Sequence, residues 1–326
     1  MASATRERRI LLGAMLFLAT LPGLAQLLGE PYLVSLFSRI LIYGLAAASL
    51  DLILGYGGMV SFGHAAFFGI GAYVVAILAF HSADGSAVPL LGLAGTESAL
   101  LAWPVAAMVA GLAAALIGAV CLRTGGIQFI MITLAFAQML FYLFVSLSAY
   151  GGEDGLSMWD RSRLPGLDLG DDTVFYYVCL TLLVAFLVLA RRLVNARFGM
   201  VIQGARQNEP RMQALGFPTY RYKLVCFALA GAAAGLAGAL IANQTEFVSP
   251  GLMHWTRSGQ ILVMVILGGM GTLFGPVLGA ATLLLMEEVL SMYTEYWMVY
   301  LGPLLILAVL FARRGVYGWL VGGDRE

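Results

Sequence analysis

The chain has 326 residues, of which 61% are apolar and 11% charged, against about 45–50% and about 25% in an ordinary soluble domain. That balance excludes a typical soluble enzyme. With 18 basic and 18 acidic residues the net charge is zero, so no overall basic field argues for nucleic acid.

A membrane helix needs about 20 apolar residues, so ten spans take roughly 200 positions and leave roughly 126 for connections. A hydropathy window along the chain picks out 10–28, 36–54, 64–80, 102–121, 127–147, 174–190, 223–243, 259–274, 277–293 and 297–312. The reading is an all-α, polytopic integral membrane protein, residues 1–326 forming one transmembrane domain of about ten helices, with eight or nine as the alternatives. The first window follows Arg6, Arg8 and Arg9 and closes at Pro22 among small residues. With the chain starting at Met1, it reads as an uncleaved span rather than a secretory signal.

If the N-terminus is cytoplasmic, the inner segments hold Arg6, Arg8, Arg9, Arg123, Arg191, Arg192, Arg197, Arg206, Arg211, Arg221, Lys223, Arg313, Arg314 and Arg325, 14 of the 18 basic residues. Arg39, Arg161, Arg163 and Arg257 are left outside or near the outer boundary. The positive-inside bias therefore predicts an even number of spans and two cytoplasmic termini.

Six glycines fall within 55–71 of an otherwise apolar stretch. Broken backbone at membrane depth is tolerated only where it is buried in protein or lines a cavity. A second run, 268–279, repeats Gly57-Gly58-Met59 as Gly268-Gly269-Met270, which points to a two-fold internal repeat of undecided relative topology; the run is either a full crossing or a re-entrant turn. Gly231, Gly235 and Gly238 lie in a small-residue run with G-x-x-x-G spacing, read as close helix packing within the chain, with dimerisation the alternative.

Ionisable residues inside spans carry a functional expectation by default. Here they are Asp51 in the second window and Glu287 with Glu288 in the ninth, joined by His64 at a helix entrance; the plainer alternative is satisfaction by neighbouring helices. Cys121, Cys179 and Cys226 lack paired spacing and read as packing residues. Three scattered histidines without H-E-x-x-H argue against a metalloenzyme. No G-x-x-x-x-G-K precedes Lys223, the only lysine, so a phosphate-binding loop for ATP is absent from this chain and nucleotide-driven work falls to a partner.

Two connections stand out. The outer acidic loop 148–173 holds Glu153, Asp154, Asp160, Asp168, Asp171 and Asp172 among glycines and prolines. The inner connection 191–222 is basic, and in it Asn208 as cap, Pro210 in the first turn, Met212 and Leu215 at i and i+3 and Gly216 as stop predict a short half-buried helix.

These stretches resemble the permease family of branched-chain amino acid ABC importers, the M-type subunit of the LivH/LivM pair, over about residues 40–312. The likeness rests on Gly55-Tyr56-Gly57-Gly58 followed by the run Ser61 to Tyr73, on Gly151-Gly152-Glu153-Asp154-Gly155-Leu156, on Arg206, Asn208-Glu209 and Ala214-Leu215-Gly216 followed by Tyr222-Lys223-Leu224, and on Gly268-Gly269-Met270-Gly271-Thr272 with Gly275-Pro276. Asp51 and Met59 stand where the family often has Asn and Gln. The resemblance implies a non-catalytic permease subunit of the bacterial inner membrane, paired in the lipid bilayer with a LivH-like second permease. It implies two cytoplasmic ABC ATPases that bind ATP and Mg, a periplasmic solute-binding protein, and no cofactor in this chain. The implied solute is a branched-chain or other hydrophobic amino acid. Urea, other amino acids and small aromatic acids are alternatives within the class; a proton-coupled secondary transporter and a membrane-embedded enzyme are alternatives outside it.

Three sets of residues are expected to act. Residues 207–216, centred on Glu209 to Leu215 with Asn208 as cap and Gly216 as stop, form the helix that docks on an ATPase, with Met212 and Leu215 as anchors and Arg206, Glu209 and Arg211 setting register. The glycine breaks at 55–63 and 268–276 border the solute path, with Ser61, His64, Gln128, Thr133 and Gln138 as polar neighbours and Asp51 and Glu287 as further members. The loop 148–173, with the connection 244–258, is the landing surface for the binding protein, presenting Glu153 and Asp154 beside Arg161, Arg163 and Arg257.

Overall fold

The computed structural model describes residues 2–87, 95–311 and 315–321. Arg313, Arg314, Arg325 and the middle of the connection after residue 87 lie outside the described residues. The first helix, α1 (Ala2–Leu28), contains Pro22, whose missing N–H deprives the Leu18 carbonyl of its helical partner. The Tyr176 hydroxyl donates to that carbonyl at 2.7 Å, which an apolar surrounding demands of any freed backbone group.

Next, α2 (Tyr32–Asp51) runs into a single π turn, Leu52–Tyr56, and a glycine-rich bend leads to α3 (His64–Asp84). There follow α4 (Ala99–Cys121), α5 (Ile127–Ser146) and α6 (Asp172–Asn195), the last capped by Asp171, whose carboxylate accepts from the Thr173 N–H at 2.8 Å. The second half holds α7 (Arg197–Gln207), α8 (Glu209–Ala214), α9 (Thr219–Thr245), α10 (Trp255–Gly268), α11 (Gly275–Tyr293), α12 (Trp297–Phe311) and α13 (Gly315–Val321). Among the described residues the one sheet pairs β1 (Leu156–Ser157) antiparallel with β2 (Phe247–Val248), Leu156 opposite Val248.

Among the described residues, seven helices are long and apolar enough to cross a membrane: α2 with its π turn, α3, α4, α5, α6, α9 and α11. The described apolar parts of α1 (Gly13–Leu27) and α12 (Trp297–Ile306), together with α10, occupy the other three expected windows and are shorter. The all-α polytopic expectation therefore holds, while ten is only an approximate count of full crossings. In particular α10 has 14 residues, and the remainder of its window, 269–274, is a turn into α11.

The connection 191–222 is also corrected, because most of it is helical. The eleven residues of α7 place Phe198, Val201, Ile202 and Ala205 on one stripe, of which the last three are buried. The helix expected after Asn208 is α8.

At the centre of the core is α9. A Cβ on Gly231 or Gly235 would collide with the Ala114 or Ala110 methyl of α4, and one on Gly238 with the Phe68 carbonyl of α3. The G-x-x-x-G spacing thus serves packing within the chain. Cys121, Cys179 and Cys226 are free and buried, as packing residues are.

Candidate functional site: the glycine junction and the loop beneath it

The bend after α2 and the turn before α11 meet. Asp51, 2% exposed, turns its Oδ1 to the Gly271 N–H at 2.8 Å, while its Oδ2 is buried without a hydrogen-bond partner. The approach needs glycine on both sides. A Cβ on Gly55 would collide with the Asp51 carboxylate and the Gly271 nitrogen, and Gly271 itself has φ +75°. The Gly55 carbonyl, within the π turn, accepts a hydrogen bond from the Arg206 guanidinium at the end of α7. One arginine therefore ties the loop-side helices to the place where both glycine runs converge.

Below the junction, Asn208 caps α8 by accepting from the Arg211 N–H at 3.0 Å. Glu209 points back toward α9: its Oε2 accepts from Lys223 Nζ at 2.7 Å and its Oε1 from the Thr219 hydroxyl at 2.9 Å. Partial burial acts to raise the Glu209 carboxyl, but the hydrogen bonds from Lys223 and Thr219 and the Lys223 charge outweigh it, holding the group below the usual carboxylate range. Met212 is half-buried, its sulfur against Gly204 of α7. The expected division of labour changes accordingly: Glu209 and Met212 fasten α8 to its own chain, Arg206 fastens α7 to the junction, and the free surface is Arg211, Leu215 and Gly216. Leu215 is 65% exposed, and Phe217, which the sequence reading passed over, is 39% exposed beside it.

The residues expected to line the path do not form one group. Ser61, His64 and Thr133 are buried at the bend before α3. The Ser61 Oγ accepts from the Gly63 N–H at 3.2 Å, Thr133 Oγ1 accepts from the Phe62 N–H at 3.3 Å, and His64 Nε2 lies 2.8 Å from Ser49 Oγ. They brace the bend. On α5, Gln128 is exposed near the start and Gln138 half-buried with an unpartnered Nε2. Toward the opposite end, Glu287 of α11 lies 3.7 Å from Arg39 of α2 and accepts from Gln260 Nε2 of α10 at 3.4 Å, and Arg257 donates to Gln260 Oε1 at 2.9 Å. Neighbouring Glu288 accepts from the Tyr32 hydroxyl at 2.9 Å. Arg39 is the one basic residue within the second apolar window, a signal the sequence reading assigned to a membrane boundary.

The two expected halves of the outer surface are joined by the β1–β2 pair. Glu153 and Asp154 are exposed and have no ion pair among the described residues, with Gly151, Gly152 and Gly155 all at positive φ around them. Arg161 is otherwise placed: 12% exposed, it pairs with Asp172 at 2.7 Å and Glu246 at 3.4 Å and lies 5.0 Å over the Phe175 ring. It holds the loop down and is no free docking cation. Arg163 is open to solvent beside Glu97 at 3.2 Å.

Apolar helices in this number, polar groups gathered at the bends and ends, and glycine breaks buried within the bundle define a multi-pass membrane permease. The chain belongs to the permease component family of branched-chain amino acid transport systems, whose family model matches residues 32–311. It is 28% identical to the high-affinity branched-chain amino acid transport system permease protein LivM of Escherichia coli K12 over 96% of this chain and 76% of that protein. It is 23% identical to a probable branched-chain amino acid transport permease protein LivM of Methanocaldococcus jannaschii over 87% and 93%. A shorter stretch, 40% of this chain and 39% of the relative, is 32% identical to the autoinducer 2 import system permease protein LsrC of Escherichia coli O9:H4. No solved structure matches it.

Proposed function

We propose that this chain is the permease subunit of an ATP-driven ABC importer of the inner membrane, forming half of the path for branched-chain or other hydrophobic amino acids. Both termini are cytoplasmic. A LivH-like second permease completes the path within the bilayer, two cytoplasmic ATPases bind ATP and Mg, and a periplasmic binding protein delivers solute to the face that carries Glu153 and Asp154. The family match supports the transport class, and the names of the LivM relatives support the solute class.

The observation that carries the coupling step is the Arg206 hydrogen bond to Gly55. Leu215 and Phe217 are exposed apolar side chains on a polar surface, the form of an anchor for a soluble partner. When the ATPases move that anchor, α8 moves with α7 through the Met212 contact at Gly204, and Arg206 carries the displacement to the junction of α2, α10 and α11. A helix pivots at a glycine bend more readily than it bends along its length.

The test replaces Leu215 and Phe217 together by Asp in the complete importer reconstituted in proteoliposomes. Transport falls by about tenfold or more, the scale of losing an interface anchor, while ATP hydrolysis continues and the chain still inserts. Transport at the unaltered rate overturns the coupling role.

A further inference from the structure

A cavity of about 750 Å³ opens among α2, α5, α10, α11 and α12, at the end of the bundle away from the junction. It falls within the range of about 300–1,000 Å³ found for small-molecule sites. Its wall has two characters. Arg39, Glu287, Gln260 and Arg257 make one side, and Phe141, Leu283, Leu301 and Leu305 contribute hydrocarbon to the other.

The polar side is under-used by the protein itself. Two guanidinium groups attend one carboxylate. Of these, Arg39 is 3.7 Å from Glu287, well beyond the about 2.7–2.9 Å of a charge-assisted hydrogen bond. Arg257 reaches only the neutral Gln260, and has no ion pair among the described residues. Among the residues that line the cavity, two guanidinium groups therefore face a single carboxylate, and each keeps donors for a further acceptor.

We propose that the cavity is a transient binding subsite for a zwitterionic α-amino acid with an apolar side chain. Arg257 and Arg39 face its carboxylate, Glu287 its ammonium group, and Phe141 with the three leucines its side chain. A free amino acid adds no net charge, and what favours it is pairing of unlike charges: its carboxylate meets the two guanidinium groups and its ammonium group meets Glu287. The inference rests on the proposed function and adds where the solute halts.

Its position links it to the coupling loop. Arg39 lies twelve residues before Asp51, and Glu287 twelve after Gly275, about 18 Å of helix in each case at about 1.5 Å per residue. Gln260 is eight residues, about 12 Å, from Gly268 on α10. The helices that carry the four polar groups therefore all end at the junction that Arg206 holds, so movement there changes the spacing of Arg39, Glu287 and Gln260 around the solute. A subsite of this kind binds weakly, since firm binding would slow release.

The test uses the purified full-length chain in lipid nanodiscs, with binding read from the fluorescence of Trp297, which lines the cavity, against a Trp297→Phe control. The probes are L-leucine, 4-methylpentanoate, which lacks the ammonium group, and L-leucinamide, which lacks the carboxylate. Glu287→Gln weakens leucine about tenfold, the scale of one lost hydrogen bond to a charged group, and leaves 4-methylpentanoate within about twofold. Arg257→Gln weakens leucine and 4-methylpentanoate alike and spares leucinamide. If either variant weakens all three probes equally, the charges are only structural and the subsite is overturned, as it is if the wild-type chain binds none of them. Leucine uptake by the complete importer reads the underlying function separately: no uptake by the wild-type assembly overturns that function, whereas normal uptake by both wild type and Glu287→Gln overturns the subsite alone.

Discussion

Asp51 and Gly271 are 220 positions apart in the chain, and the carboxylate of the first accepts the backbone N–H of the second at 2.8 Å. This bond closes the two glycine runs into one junction. Beside it the Gly55 carbonyl, held to the Arg206 side chain, extends the same junction to α7. Both contacts use backbone groups that the π turn and the glycine turn leave outside a regular helical ladder. The fold has spent irregular backbone at one place, and there it meets the segment facing the proposed ATPase.

Removing the Asp51 acceptor leaves the part-buried Gly271 N–H without its side-chain partner. Asp51→Ala is expected to lower the stability of the detergent-solubilised chain by about 1–3 kcal/mol, read as a lower thermal midpoint. Asp51→Asn retains an acceptor for Gly271 and replaces the unpartnered oxygen by an NH2 group, so its midpoint stays at or above that of the parent. Equal losses in the two variants would show that charge, rather than the hydrogen bond, holds the junction.

Arg206→Gln shortens the reach from α7 to Gly55 and removes the charge while leaving α8 capped by Asn208. In the complete importer the expected outcome is transport lowered by about tenfold, consistent with loss of one charge-assisted hydrogen bond, with ATP hydrolysis retained. Transport and hydrolysis falling in the same proportion would instead place Arg206 in ATPase assembly.

The span-length helices were legible because a run of about 20 apolar residues has few other destinations. The Asn208 cap was legible too, since capping is decided within a few residues. α7 escaped notice because its buried stripe, Val201, Ile202 and Ala205, alternates with Arg197, Gln203 and Arg206, and a span-length average erases such a pattern. The roles of Arg206 and Glu209 depend on partners elsewhere in the fold, Gly55 and Lys223, which no local pattern names. Ser61, His64 and Thr133 were legible as polar residues near the glycine bend, but their partners, Gly63, Ser49 and Phe62, were not. A polar residue in a span announces only that it needs a partner, and here its own chain supplies one.

The Glu209 tie sets a pH dependence. Its carboxyl is held below the ordinary carboxylate range, so its contribution to stability is fully present above the unfolded value, about 4.3 for Glu. It is lost as pH falls through the lower folded value. The side chain is 38% exposed, so solvent screening keeps the effect modest and added salt reduces it. The difference in thermal midpoint between the parent and Glu209→Gln is expected to be constant from pH 8 down to about pH 5 and to shrink below that. A difference that persists undiminished at acid pH would mean that Glu209 acts through packing and not through Lys223.

The outer loop separates two kinds of charge. Arg161 is half-buried over Phe175 and paired with Asp172 and Glu246, so Arg161→Ala should loosen the loop and lower the thermal midpoint, whatever docks there. Glu153 and Asp154 are exposed on a turn built by three positive-φ glycines, and their removal should leave the midpoint unchanged. Charge complementarity at an interface rim chiefly raises association rate and sets orientation, and salt weakens it over a Debye length of about 10 Å at 0.1 M. Reversing Glu153 and Asp154 to Lys is therefore expected to slow capture of the solute-loaded binding protein at low salt, with the parent and variant rates converging as salt rises. The dissociation rate and basal ATP hydrolysis stay near parental values, because neither depends on long-range attraction. Surface plasmon resonance with the permease in nanodiscs measures both rates directly. Identical association rates at low salt would make the turn a solvated connector and assign the landing surface elsewhere.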